Sequence, residues 1–277
     1  MKFITLALSL LVLCSCLPRS PKDDVIKSMS LITEENLELN DMNNVVYINS
    51  AGGIPASQKI NPKKNLLFVA LDQVVQKQYQ LLIKKAYKSD EEVRIEDVAW
   101  WKFAPNFRYL YDYVVKIPYT NFTQESFKQA IIYLESLDKP YDIMMLAHAI
   151  PNHFITSQGH ELLSYKDIRG LKDDVHKLSF VFLQSCFGST LKNDFHYLGA
   201  KEVISYPSFN QNFFYIDFFI KNYKKHKYNI FKAYKKTNKH IQWKMRHNPL
   251  YIMMMKKMGI SFDEYFSIAP NPDYSVK

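Results

Sequence analysis

Two residues of this chain have the type and the setting for covalent chemistry. His148 directly follows the apolar run Ile143-Met144-Met145-Leu146-Ala147. Cys186 follows a second run, Leu178 to Leu183, after Gln184 and Ser185. Short uncharged runs of this kind suit strands buried on both faces. Two successive parallel strands would release an imidazole and a thiol at the same sheet edge, side by side. In open α/β sheets that carboxyl edge is where ligands bind. A thiol beside an imidazole is a nucleophile beside its base. His153 follows His148 by five residues, but Pro151 intervenes, so the two do not form a helical metal-ligating pair. The sequence holds no Gly-rich phosphate loop and no metal-type His/Cys spacing, and no cofactor or metal is expected. His153, His160, His176, His196, Trp100 and Trp101 read as surface or packing residues.

The elements that would position this pair are legible in outline. Val45 to Ile48 reads as a short strand closed by the turn cluster Asn49 to Gly53. Leu66 to Leu71 is a continuous apolar run of strand length, and Asp72 is placed to cap the helical stretch that follows. Residues 88–111, with Trp100, Trp101 and Pro105, carry no clear signature beyond an ordered insertion. Tyr113 to Ile117 is the next strand, and Thr123 to Ser126 fits a helix start. Gln158-Gly159 suggests a hairpin within His153 to Leu163. Ser164 followed by Asp167 has the form of a capping box. A short helix leads to Gly199, and Glu202 to Tyr206 is the last clear strand, stopped by Pro207. Amphipathic helices are predicted over about 210–225 and 228–246, with an irregular tail from Pro270. Alternating strands and helices predict an α/β fold, a mostly parallel open sheet with helices on both faces.

The segment from Asp142 to His148, the Gln158-Gly159 hairpin, and Phe180 to Ser189 around Cys186 resemble the caspase-like peptidases. That fold is shared by caspases, metacaspases, gingipains, legumains, clostripains and CHAT domains. Leu198 to Ile204 is similar to the helix-to-strand step that CHAT and gingipain relatives carry after the cysteine, and Ile230 to Tyr234 to their closing helix. The likeness spans about residues 65–240 and is sharpest over 142–206. It implies that Cys186 attacks a peptide carbonyl and that His148 protonates the leaving amine. Backbone N–H groups near Ala149 and Cys186 would hold the oxyanion, each worth roughly 2.7–4 kcal/mol in well-studied enzymes. Ala149 stands where these relatives usually have Gly. Asp72 would orient the imidazole or recognise a basic P1 side chain, with helix capping as its other role. The competing reading is a non-catalytic envelope lipoprotein that uses the same fold as a binding or structural module.

The chain begins with Lys2 and the uncharged run Ile4 to Leu13, which is too short to span a bilayer and fits a signal-peptide core. It ends in Leu13-Cys14-Ser15-Cys16, which resembles the lipobox of bacterial lipoproteins. That resemblance implies cleavage before Cys16, a diacylglycerol thioether on its sulfur and an acylated amino terminus. Such lipid suffices for stable membrane anchoring. Leu17 stands where an Asp would favour inner-membrane retention, so the outer membrane is expected. The other reading is an ordinary cleaved signal. The expected organisation is signal peptide 1–15, lipidated tether and lead-in 16–43, α/β domain 44–250 and C-terminal extension 251–277. With Cys14 removed and Cys16 acylated, Cys186 is the one thiol left among three cysteines.

The net charge is +9, and lysines crowd the C-terminal third, from Lys221 to Lys239. A basic face there would suit anionic lipid or an acidic partner, or be a solvated helix face. Nucleic acid is not an expected partner outside the cytoplasm. The expected partners are the membrane, through Cys16, and a peptide or protein substrate.

Overall fold

The computed structural model describes residues 37–39, 45–48, 64–70, 94–157, 161–207, 214–247 and 272–277, with single positions between 252 and 261. Its frame is an eight-stranded sheet. In chain order the strands are β1 (Leu37–Leu39), β2 (Val45–Ile48), β3 (Lys64–Val69), β4 (Tyr111–Ile117), β5 (Tyr141–Met145), β9 (Leu178–Leu183), β10 (Glu202–Ser205) and β11 (Asp273–Val276). A separate three-stranded sheet holds β6 (Ala149–Ile150), β7 (His153–Ile155) and β8 (Leu162–Ser164). The large sheet has the spatial order β1-β2-β4-β3-β5-β9-β10-β11. Its six inner strands pair in parallel, and the edges β1 and β11 pair antiparallel. The α/β class is as expected, with a mostly parallel sheet covered on both faces.

Alternation along the central strands divides the core. Leu66, Phe68, Met144, Phe180 and Phe182 point to one face, where α1 (Ile95–Leu110), α5 (Phe214–Lys225) and α6 (Ile230–His247) pack. Leu67, Val69, Ile143, Met145, Val181 and Leu183 point to the other, against α2 (Gln124–Ser136), α3 (Tyr165–Arg169) and α4 (Lys192–Leu198). Each fully buried large apolar side chain contributes about 1.5–3 kcal/mol relative to exposure. Two of the caps read from sequence, Thr123 and Ser164, form as expected. The Thr123 hydroxyl accepts the Ser126 N–H at 3.0 Å, and Ser164 and Asp167 make a reciprocal pair.

Three segments differ from expectation. Residues 88–111 contain a sixteen-residue helix, α1, despite Pro105 inside it. Its Ala99, Trp100, Phe103, Ala104 and Phe107 are buried, so tertiary packing offsets the missing backbone donor. The lead-in before 44 contributes β1, and the tail after Pro270 contributes β11. Both are too short for a periodicity to show, and both are defined by the neighbour they pair with. Among the described residues, no helix is long and apolar enough to cross a membrane.

Candidate active site

The order of the sheet reverses around β3. From it the chain passes outward to β4 on one side and then to β5 on the other. The carboxyl ends of β3 and β5 therefore flank a topological switch point, the usual place for a ligand cleft. His148 leaves the sheet from β5 and Cys186 from the adjacent β9. These strands are parallel, with Met145 opposite Leu183, and the Gln184 N–H donates to the Met145 carbonyl at 2.8 Å. His148 is the third residue beyond Met145, and Cys186 is the third beyond Leu183. Both are half-buried, and Cys186 is a thiol rather than half of a disulfide.

The two loops are stitched together. The Asn152 N–H donates to Thr190 Oγ1 at 2.7 Å, and the Thr190 hydroxyl donates to the Phe187 carbonyl at 2.8 Å. One hydroxyl thus joins the hairpin that starts at His148 to the turn that starts at Cys186. The sequence reading missed Thr190, because nothing in a lone Thr signals a bond 38 residues away.

The turn itself is tight. Phe187 has a φ of 54°, in the left-handed region that a side chain of its size rarely adopts. A Cβ on Gly188 would lie 2.8 Å from Ser185 Oγ and 3.1 Å from Leu183 Cβ. A larger residue there would have to turn the Ser185 hydroxyl away and press on Leu183, both within the segment that leads to Cys186. Strain of this kind concentrates at functional sites.

Ala149 replaces a glycine of the resembled pattern without strain, since its φ is not positive. Within the β6–β7 hairpin, Ala149 faces Phe154, and the Ile155 N–H donates to the His148 carbonyl at 2.8 Å. Hydrogen-bonded and non-hydrogen-bonded pairs alternate along an antiparallel ladder. Ala149 and Phe154 are therefore a non-hydrogen-bonded pair, and the Ala149 N–H points away from β7. It is not spent on the hairpin, as an oxyanion donor requires.

His148 is also walled in by aromatic packing. Tyr119 meets its ring edge-on at a centroid distance of 6.5 Å. The Tyr119 hydroxyl donates to the Ile155 carbonyl at 2.7 Å, and its N–H donates to Glu96 Oε2 at 3.0 Å. Glu96 in turn pairs with Lys116 at 2.7 Å, both almost fully buried. Burial raises the Glu96 pKa, against the lowering effect of Lys116.

Burial also lowers the His148 pKa below its ordinary value of 6.5. A neutral imidazole at neutral pH is the form that accepts a thiol proton. Stability follows the same shift. The unfolded chain takes up a proton at this residue at higher pH than the folded one, so stability rises with pH through that window. The contribution is present above 6.5 and is lost as pH falls towards the depressed folded value. His148→Gln is therefore expected to flatten the loss of stability below 6.5, measured by urea denaturation across pH.

Cys16 and Asp72 lie outside the described residues, as do Gln158, Gly159 and His160 of the expected hairpin. His196 bonds Ala200 and Ser275 on the far side of β10, and His153 bonds the Pro151 carbonyl. Among the described residues, no group of His, Cys, Asp and Glu could hold a metal ion. No protein-family model and no curated protein matches this chain.

Proposed function

We propose that this chain is a membrane-tethered cysteine peptidase of caspase-like fold. The observation that carries the reading is the matched exit of His148 and Cys186 from neighbouring parallel strands, with Thr190 joining their loops. In the reaction, the neutral His148 takes the Cys186 proton as sulfur attacks a peptide carbonyl. The new C–S bond forms as the carbonyl π pair moves to oxygen. The Ala149 and Cys186 N–H groups receive that oxyanion. Its collapse breaks the C–N bond, and His148 returns the proton to the leaving amine. Water then hydrolyses the thioester.

The tether is the acylated Cys16, and the cell envelope, with the outer membrane first, is the location this reading assigns. Cys16→Ser is expected to move the protein from the membrane fraction to the soluble fraction. The chemistry is tested with an electrophilic peptide probe that labels thiols. Wild-type protein is expected to label at Cys186, and His148→Ala to label at least tenfold more slowly at neutral pH. Equal labelling rates would mean a thiol that His148 does not activate. The fold would then serve as a binding module.

A further inference from the structure

The chain's positive charge is not spread evenly along its sequence. Residues 218–262 hold 12 of the 36 Lys and Arg residues and none of the 27 Asp and Glu residues. The rest of the chain, with 24 basic and 27 acidic residues, is slightly negative. Helix α6 is the long described element of that segment. At 3.6 residues per turn and 1.5 Å per residue it runs for about 27 Å. Ile230, Ala233, Thr237 and Ile241 face inward, and three of these four join the core beside α5. The opposite half-turn is exposed and carries Lys232, Lys235, Lys236 and Lys239. Near its two ends stand exposed aromatics, Phe231 at 47 % and Trp243 at 58 %.

Phe231 lies 5.8 Å from the Tyr274 ring and Trp243 stacks on His247 at 4.8 Å, and both rings still keep about half of their surface in water. The apolar face of α6 is buried in the core, so what the helix offers a membrane is its exposed face, where lysines stand between a Phe and a Trp. The aromatic rings sit at headgroup depth, and the lysines meet anionic phosphate. The Lys235 Nζ lies 4.6 Å from the Phe231 ring centroid, so this ammonium already lies over the ring that would enter the interface. An acidic protein would need two matched pockets for rings 12 residues, about 18 Å, apart along the helix, whereas a headgroup layer takes them at any spacing.

We infer that the exposed face of α6 docks on an anionic phospholipid surface, as a contact separate from any lipid on Cys16 and independent of the chemistry at Cys186. Two contacts of this kind would hold the domain at a fixed orientation, where a tether alone leaves it free to rotate.

The test uses the unlipidated full chain with two kinds of vesicle, phosphatidylcholine alone and phosphatidylcholine mixed with phosphatidylglycerol. The readout is the ratio of the two affinities by sedimentation. The segment from Met1 to Leu13 is identical in the wild type and the variants, so its contribution drops out when their ratios are compared. The expected result is preference for the anionic vesicles, weakening as salt rises. Lys235→Gln and Lys239→Gln are each expected to lower the ratio about fivefold. Anionic vesicles are also expected to shift the tryptophan emission to the blue, and Trp243→Phe to abolish the shift. A ratio near unity, no binding to either vesicle, or a ratio untouched by the two lysine substitutions would overturn the inference. The last two results would direct the search to an acidic protein partner or to another basic segment.

Discussion

Cys186→Ala is expected to remove peptide cleavage altogether. Loss of the attacking group in a protease of the nucleophile-and-base type lowers kcat by about 10⁶-fold. His148→Ala removes only the proton transfer, for which general acid–base catalysis contributes about 10²–10⁴-fold. The double variant should be no worse than Cys186→Ala alone, because groups that act as a unit are not additive. The measurement is kcat/KM on a peptide that the wild type cleaves, with thermal unfolding followed in parallel. Cys186 is half-buried at a strand end rather than in the centre of the sheet, so its truncation should leave the unfolding midpoint almost unchanged. A Cys186→Ala protein that keeps within tenfold of wild-type activity would place the nucleophile elsewhere. The oxyanion donors would then have to be sought at another strand end.

The second large effect lies at the opposite edge of the sheet. Asp142, near the start of β5, has no exposed surface. It accepts Lys64 Nζ at 3.1 Å, the Tyr111 hydroxyl at 3.1 Å and the Tyr223 hydroxyl at 3.2 Å. Lys64 also donates to Ser179 Oγ at 2.7 Å, so β3, β4, β5, β9 and α5 are joined around one carboxylate. Burial raises the Asp142 pKa, while Lys64 and the two hydroxyls oppose the rise. Lys64→Ala would leave that carboxylate buried with no counter-charge. Breaking a buried pair in this way costs about 3–5 kcal/mol.

The cost should depend on pH in a defined direction. Without Lys64 the folded-state pKa of Asp142 rises further, so the folded chain holds a proton that the unfolded chain has released. Stability then falls as pH rises from about 4 through the new folded value. The penalty should be small in mild acid and complete at pH 8, as read by urea denaturation at both. A penalty equal at both would mean that Lys64 acts through packing alone. Replacing both partners together, as Lys64→Met with Asp142→Leu, should cost much less than Lys64→Ala, since no charge is left to desolvate. The probe reactivity of Cys186 should survive in the double variant, because the cluster and the candidate site sit at opposite ends of β5.

Strands and helices whose environment is uniform along their length are legible without any tertiary information. Leu66 to Val69, Ile143 to Met145 and Leu178 to Leu183 are buried on both faces, so their apolar character is continuous and needs no partner to be recognised. The Thr123 and Ser164 caps are local, three residues wide, and equally legible. So were His148 and Cys186, because each directly ends such a strand or nearly so. The other features depend on residues far apart in the chain. The edge strands β1 and β11 exist through pairing, and α1 forms around Pro105 because its aromatic face is buried. The pairing of Lys64 with Asp142 spans 78 residues, and the Thr190 bridge between the two candidate loops spans 38. No spacing rule reaches that far. A buried charge and a shared hydroxyl acquire their partners only when the sheet closes, and it is there that the His148 and Cys186 loops are brought to one edge.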